Sequence, residues 1–189
     1  IFLNVSFPNV FPIVQGLENL AVYPHGCVEQ TASAALTNVA LLEYSAANNI
    51  PKEIVELAKS NLHYAAARLT AMQHTDGGWS WFYNPEENDR NVYMTLYALK
   101  TLIEIDSVGI MVSDEVLKRG LENLLGFQKQ NGLWSGKECY FWEFSKETDV
   151  SLSAEIFEVL SKKRVQKLLD EKYDAKLAQQ AGLFLKRCY

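Results

Sequence analysis

The chain has 189 residues, of which 48% are hydrophobic and 12% aromatic, and its formal net charge at pH 7 is −5. This apolar content is typical of a globular domain with a buried core and excludes a disordered chain. The acidic balance, without a face dense in Lys or Arg, argues against a nucleic-acid partner, and no stretch reaches the roughly 20 apolar residues of a membrane span.

Two helices are predicted in the first third of the chain. The sequence begins on the apolar segment 1–7 without a start signal, which predicts a domain excised from a longer protein. Apolar side chains then recur at helical spacing over 27–47. The break that follows ends at Pro51, which is predicted to occupy the first position of a second helix that reaches Met72.

Two further helices are predicted in the middle of the chain. A loop over 73–89 leads into the third helix, for which Asp89 or Asn91 can act as the cap. Either Ser113 or Asp114 can cap the fourth helix, because short polar side chains satisfy the free N–H groups of a first turn.

The last part of the chain is also predicted to be helical. A loop over 130–148 precedes a fifth helix, which starts at Asp149 or Ser151. The basic run 162–164 is interpreted as a solvated helix end, and the tail over 165–185 reads as one or two more helices. Because no segment alternates apolar and polar residues over strand length, the sequence predicts an all-α fold without a substantial sheet.

The loops that follow the second and fourth helices repeat each other. The segment 73–80 is echoed by 130–135, and Trp79 and Trp134 lie 55 residues apart. Each copy places a Gly-containing turn and an aromatic residue between two helices, which resembles the hairpin unit of α/α toroids. The chain holds only about three such hairpins, so an incomplete ring is predicted, with apolar faces exposed or covered by a partner chain.

The most informative segment precedes the first helix and reads Tyr23-Pro24-His25-Gly26-Cys27-Val28-Glu29-Gln30. At a separation of three residues, Cys27 and Gln30 can meet over one helical turn, with Cβ atoms roughly 5–6 Å apart. Pro24 lies outside any helix, and Gly26 allows a sharp bend before the thiol. A thiol held against a carboxamide can displace ammonia and close an internal thioester.

The wider string Pro-x-Gly-Cys-x-Glu-Gln resembles the thioester motif of the α2-macroglobulin and complement superfamily, whose usual core reads Gly-Cys-Gly-Glu-Gln. Val28 stands where animal members carry Gly, and bacterial members commonly hold a larger residue there, so the bacterial branch is indicated. The helices that begin near Asn91 and Asp149 look like those that follow the aromatic loops of macroglobulin thioester domains. The resemblance covers the chain to about residue 162 and implies one thioester-containing α/α domain over 1–189, truncated from a multidomain protein.

By resemblance, the thiol of Cys27 and the side-chain carbonyl of Gln30 form the thioester. A nucleophile is acylated at Gln30 and the thiol is released, so the domain is a single-use trap rather than an enzyme. The parent protein would be a protease inhibitor of host defence in the bacterial periplasm or at the cell surface. Cleavage of a bait segment would uncover the bond to lysine amines of the attacking protease, and other domains of the parent chain would shield it until then. No cofactor and no metal are expected.

The loop over 135–148 contains no histidine. Complement-type members that prefer hydroxyl targets use a histidine in the matching loop, whereas this chain has Glu138, Tyr140, Trp142 and Glu143 there. By resemblance, the difference favours amines over hydroxyls.

Other residues near the motif have two interpretations each. Glu29 is a first-turn carboxylate favoured by the helix dipole, or it orients the thioester ring. The aromatic residues Tyr23, Trp79 and Trp81 belong to the core or rim, or they exclude water from the thioester. His25 lies two residues before the thiol, but residues two apart point in different directions on a helix, which argues against a Cys–His nucleophilic pair.

Two alternatives from other classes remain open. The string Gln-x-x-Asp-Gly-Gly-Trp also resembles repeats of terpene cyclases and prenyltransferases, although no Asp-rich acid motif or zinc ligand set accompanies it. The other alternative is a scaffold with a vestigial thioester motif. Cys139 and Cys188 are interpreted as free thiols, since an odd number of widely spaced cysteines is a poor disulfide framework.

Overall fold

The computed structural model describes residues 23–83, 91–135 and 146–169. Over these ranges the helices are α1 (Val28–Ser45), α2 (Lys52–Ala71), α3 (Val92–Ser107), α4 (Asp114–Gly126), α5 (Lys146–Ser161) and α6 (Lys163–Gln166). No strand occurs in these ranges, which confirms the predicted all-α class, and none of these helices is long and apolar enough to cross a bilayer. Residues 1–22, Cys139, Cys188 and the tail beyond 169 lie outside the described residues.

The helices pack as successive hairpins. Helix α1 packs against both α2 and α3, while α3 also contacts α4 and α5. Helix α3 is buried on most of its surface, whereas α4 buries one stripe and is therefore an outer helix. The buried residues of α3 are Val92, Met94, Thr95, Leu96, Ala98, Leu99, Thr101, Leu102, Ile103 and Ile105. This inner and outer arrangement of hairpins is that of an α/α toroid, as the sequence predicted.

The 55-residue repeat is also present in the hydrogen bonding. Nε1 of Trp79 donates to the carbonyl oxygen of Leu69 at 2.7 Å, and Nε1 of Trp134 donates to that of Leu124 at 2.6 Å. Each indole is buried and thereby covers the C-terminal end of the preceding outer helix. Both loops therefore place one tryptophan N–H on a carbonyl of the last turn of the preceding helix, and the Leu124 carbonyl also accepts from the N–H of Phe127 at 3.3 Å.

The correspondence between the two loops differs from the one predicted. Nε2 of Gln73 donates to the carbonyl oxygen of Gly77 at 2.9 Å, and Nε2 of Gln128 donates to that of Gly132 at 3.1 Å. The counterpart of Gln73 is therefore Gln128, and the pairing of 73–80 with 130–135 was wrong at its first residue. The physical reason is the turn, because each glycine has a positive φ and must hold the same place in the loop.

Most helix starts lie within a few residues of the predicted ones. Pro51 is the N-cap of α2 rather than its first residue, since it has extended ψ while its carbonyl accepts the first helical hydrogen bonds. Asn91 is the N-cap of α3, and its Oδ1 accepts from the N–H of Met94 at 3.0 Å. Ser113 is the N-cap of α4, and α5 begins at residue 146, upstream of the predicted Asp149.

The basic run 162–164 is not simply a solvated helix end. Lys162 pairs with Glu104, and Arg164 pairs with Asp106 at 2.9 Å and with Asp114. The acidic partners lie at the end of α3 and the start of α4, so the run attaches α6 to the α3–α4 turn. The sequence could not show these partners because they lie 50 to 58 residues away.

Candidate functional site

The chain turns sharply just before α1. Pro24 is buried, and Gly26 has a φ of 89°, a conformation that residues with a Cβ rarely adopt. Cys27 follows in an extended conformation as the N-cap of α1 and is only 5% exposed. The thiol is thus buried at the point where the turn becomes a helix.

Gln30 folds back over the same turn. Its Oε1 accepts a hydrogen bond from the backbone N–H of Cys27 at 3.1 Å. In return, the Cys27 side chain faces the backbone N–H of Gln30, so the two residues form a reciprocal capping box. The structure therefore brings the two predicted reacting residues together, with Cys27 buried and Gln30 exposed.

Gly26 leaves the space that Gln30 occupies. A Cβ added at Gly26 would overlap Oε1 of Gln30 and lie 2.9 Å from its Cδ. Any larger residue would therefore displace the carboxamide from the N–H of Cys27. Gly26 therefore has two roles: it allows the predicted bend before the thiol, and it leaves room for the Gln30 side chain.

Arg68 of α2 holds the turn from the other side. Its Nη2 donates to the carbonyl oxygen of Gly26 at 2.7 Å, and its Nε donates to Oγ1 of Thr31 at 3.3 Å. One guanidinium thus bridges the residue before Cys27 and the first turn of α1. Hydrogen bonds with a charged donor are stronger than neutral ones, so this bridge stabilises the shape of the turn.

The loop that contains the two predicted tryptophans reaches the site through its backbone. The carbonyl oxygen of Trp81 accepts from the N–H of Val28 at 3.0 Å, and the Trp81 ring is half-buried against the core. Trp79 is 1% exposed and packs against Gly120, where a Cβ would lie 2.7 Å from the indole. Trp79 is therefore a core residue, whereas Trp81 belongs to the border of the site.

Tyr23 lies at the rim, where it is 48% exposed and stacks on Tyr64 of α2 with ring centroids 4.4 Å apart. The side-chain hydrogen bond between the two phenols raises the pKa of Tyr23, and burial adds to that rise. The same hydrogen bond lowers the pKa of Tyr64, and a hydrogen bond from Arg68 lowers it further. The phenol pair thus joins the rim to the arginine that holds the turn.

Glu29 is hydrogen-bonded within α1 to a serine that also contacts α3. Its Oε1 accepts from the hydroxyl of Ser33 at 2.9 Å, and Oγ of Ser33 lies 3.0 Å from the hydroxyl of Tyr97. The carboxylate is therefore part of a polar contact between α1 and α3, which favours the structural interpretation of Glu29. Its place in the first turn of α1 agrees with the favourable helix dipole.

The three histidines occupy separate environments. His25 is exposed, and its ring lies edge-on to Tyr23 with centroids 5.1 Å apart. Nδ1 of His63 donates to the carbonyl oxygen of Lys59 at 2.9 Å, and Nε2 of His74 lies 2.9 Å from Oγ of Ser80. Within the described ranges, no group of three or more His, Cys, Asp or Glu side chains could hold a metal ion.

Sequence reasoning missed Arg68 and Tyr64, which support the turn from α2. The 55-residue offset relates these positions to Asn123 and Arg119 of α4, but the residue types differ, so the sequence alone contained no signal for them. Arg119 donates to the carbonyl oxygens of two residues of the 73–80 loop at 2.9 and 3.0 Å, and Asn123 donates to a third at 3.2 Å. In both repeats, an outer helix therefore donates to carbonyls of a glycine turn: through Arg68 before α1, and through Arg119 and Asn123 before α3.

A glycine turn that places a cysteine and a glutamine at the start of an inner helix, within an α/α toroid, defines a domain of the macroglobulin class. The model of the A-macroglobulin TED domain matches residues 3–187. The chain therefore belongs to the A-macroglobulin TED domain family.

Similar proteins come from bacteria. The chain is 34% identical over 117 residues to an alpha-2-macroglobulin of Thermotoga maritima, a match that covers 61% of this chain. It is 30% identical over 128 residues, or 65% of the chain, to an alpha-2-macroglobulin of Escherichia coli. A third match, to an alpha-2-macroglobulin of Xylella fastidiosa, is 31% identical over 128 residues. In each case the match spans about 7% of the relative's length.

Proposed function

We propose that Cys27 and Gln30 form an internal thioester. The Cys27 sulfur would bond to Cδ of Gln30, the C–N bond of the carboxamide would break, and ammonia would leave with the thiol proton. One observation carries the proposal: Oε1 of Gln30 accepts a hydrogen bond from the N–H of Cys27, while the Cys27 side chain faces the N–H of Gln30. Both reacting groups thus share one turn in a chain of the TED family.

The difference in burial between Cys27 and Gln30 suits a thioester between them. The Cys27 sulfur is covered at the start of α1, whereas Gln30 is exposed. A nucleophile can therefore approach the carbonyl carbon from solvent while the leaving sulfur stays in the interior. The aromatic residues Tyr23 and Trp81 border the turn and are proposed to limit hydrolysis of the bond.

The bond would act as a single-use acylating trap. An amine bonds to Cδ of Gln30, the C–S bond breaks, and the amine gives its proton to the Cys27 sulfur. The products are an amide at Gln30 and a free thiol, which do not revert to the thioester. A single use fits the family and differs from enzymatic turnover.

The parent protein is proposed to be a bacterial α2-macroglobulin-like protease inhibitor, located in the periplasm or at the cell surface. In this scheme, an attacking protease cleaves a bait segment elsewhere in the parent chain, and a lysine amine of that protease is acylated through Gln30. Residues 1–189 would be one domain of that protein, shielded by its other domains. The support is family membership and the similarity to bacterial alpha-2-macroglobulins.

Intact mass tests the thioester directly. A closed thioester lowers the mass by about 17 Da, and methylamine then adds about 31 Da and exposes one alkylatable thiol. Cys27→Ala is expected to abolish both changes, and Gln30→Glu serves as a second control because it cannot lose ammonia. A chain with the unchanged sequence mass and no methylamine adduct would contradict the proposal and support a scaffold with a vestigial motif.

The preference for amines has a separate test. Equal concentrations of methylamine and glycerol are offered to the thioester form, and the two adducts are counted by mass. We expect the amine adduct to dominate, because no histidine in the 135–148 loop is available to activate a hydroxyl. A dominant glycerol adduct would refute the preference but not the thioester.

A further inference from the structure

The peptide unit between Gly26 and Cys27 is engaged at both ends. Its carbonyl oxygen accepts from Nη2 of Arg68 at 2.7 Å, and its N–H donates to Oε1 of Gln30 at 3.1 Å. In a planar trans peptide, the C=O and N–H bonds point in opposite directions. This one peptide therefore lies between a positive guanidinium and the carbonyl oxygen of the proposed acyl group.

We propose that the Cys27 N–H is the oxyanion-stabilising donor for acyl transfer at Gln30, and that Arg68 is the positioning residue that orients it. The inference rests on the proposed thioester. When the Cys27 sulfur bonds to Cδ of Gln30, the carbonyl electron pair moves onto Oε1, and it returns as ammonia is expelled. When an amine bonds to the same carbon, the pair again moves onto Oε1 and returns as the C–S bond breaks.

The donor faces the atom that becomes negative in both steps. A backbone N–H that already points at this oxygen needs no reorganisation when the charge develops. The cation at the other end of the peptide adds to this effect, because a hydrogen bond to the carbonyl polarises the amide and strengthens its N–H as a donor. The contact from Arg68 to Thr31 fixes the guanidinium in that orientation.

Gly26 makes this geometry possible. Its carbonyl end lies against Arg68, and the absence of a Cβ leaves room for Oε1 of Gln30 beside the N–H of Cys27. The arrangement thus depends on Gly26 and Cys27 of the turn before α1, on Gln30 of α1 and on Arg68 of α2. The direct test is the removal of the single N–H while every side chain is kept.

A backbone ester at Cys27, introduced by peptide ligation, removes that donor. The matched control is a backbone ester at Val28, whose N–H donates to the carbonyl oxygen of Trp81 at 3.0 Å instead of to Gln30. Each ester also weakens the preceding carbonyl: that of Gly26, which accepts from Arg68, in the Cys27 ester, and that of Cys27, which accepts from the N–H of Thr31, in the Val28 ester. A rate loss in the Cys27 ester that exceeds the loss in Arg68→Gln therefore reports the missing N–H itself. The readout is the second-order rate constant with methylamine, taken over the fraction of chains that carry the thioester by mass.

We expect the Cys27 ester to react about 100-fold more slowly, as for the loss of one oxyanion donor, and the Val28 ester to react at the unmodified rate. Failure of the Cys27 ester to form the thioester at all, with normal formation in the Val28 ester, also supports the inference, since both steps use the donor. Equal rates in the two esters, or equal losses, would overturn it. An unmodified chain that forms no thioester would instead refute the proposed function, and the inference would fall with it.

The role of Arg68 is tested with Arg68→Gln against Arg119→Gln. Arg119 holds the other glycine turn through carbonyl oxygens at 2.9 and 3.0 Å, so both variants lose a comparable support. We expect both to lower Tm but only Arg68→Gln to slow acylation, by about tenfold, with partial rescue in Arg68→Lys because the cation is kept. Equal acylation rates in the two glutamine variants would leave Arg68 with a structural role only and overturn its assignment as the positioning residue.

Discussion

Gly26 and Gln30 share one space in the turn before α1. A Cβ at position 26 would overlap Oε1 of Gln30, an atom at the end of a flexible side chain. The overlap can be relieved by moving Gln30 away, and that movement breaks its hydrogen bond with the Cys27 N–H. A substitution at Gly26 is therefore expected to leave the fold in place while it separates the two reacting groups.

Gly26→Ala and Gly109→Ala separate this effect from backbone strain. Both glycines have a φ of 89°, but nothing lies within 4 Å of a Cβ at Gly109. Each variant is expected to lose about 1–2 kcal/mol of unfolding free energy from the unfavourable φ. Only Gly26→Ala should lose the mass deficit and the methylamine adduct. A normal thioester in Gly26→Ala would show that the hydrogen bond between Gln30 and the Cys27 N–H is not required for thioester formation.

The meeting of Cys27 and Gln30 could be predicted from the sequence, because it depends on spacing within one helical turn. The all-helical fold could be predicted as well, since periodic apolar residues mark each helix. Both conclusions rest on local geometry, which the sequence states directly.

Contacts between helices could not be predicted. Arg68 reaches Gly26 across 42 residues, and its role depends on how α2 packs along α1. The two tryptophans of the first loop look alike in sequence, yet only Trp79 is enclosed, because Gly120 on α4 leaves room for its indole. Long-range packing of this kind decides which side chains surround the turn.

The hydrogen bond between the 73–80 loop and the inner helix α3 predicts that Thr95→Val lowers the stability of the fold. Oγ1 of Thr95 accepts from the buried backbone N–H of Trp79 at 3.0 Å, and valine leaves that donor unsatisfied. We expect a loss of about 1–3 kcal/mol in unfolding free energy, measured by urea denaturation.

The control is Thr101→Val on the same helix. Thr101 is equally buried, but its hydroxyl donates to the carbonyl oxygen of Tyr97 within the helix. A back-bond of this kind adds little stability, so the control should unfold near the unmodified midpoint. Similar losses in both variants would show that the N–H of Trp79 finds another acceptor.

The ion pair of Asp114 with Arg164 predicts a pH-dependent contribution to stability. The hydrogen bond from Arg164 lowers the pKa of Asp114 in the folded protein. A lowered pKa means that the contribution is present above the unfolded value of about 3.9 and is lost as the pH falls through the folded pKa. Arg164→Gln should therefore lower Tm at pH 7, and the difference from the unmodified protein should shrink below about pH 4.

Lys163→Gln removes the same charge from an exposed neighbour on α6 and is expected to leave Tm nearly unchanged at both pH values. If the difference in Tm between Arg164→Gln and the unmodified protein stayed constant down to pH 2, titration of Asp114 would not be its source.

His25→Ala distinguishes the acylating trap from a Cys–His hydrolase. The His25 ring is exposed and lies edge-on to Tyr23, whereas the Cys27 sulfur is buried, and this arrangement does not favour a Cys–His pair. We expect the thioester to form and to react with methylamine at the unmodified rate, since proton transfer in the proposed scheme runs from the amine to the sulfur. Tyr23→Phe, which keeps the ring that His25 touches, controls for changes at the rim. A loss of acylation in His25→Ala of about 100-fold or more, the size of a general-base effect, would require a nucleophile activated by histidine.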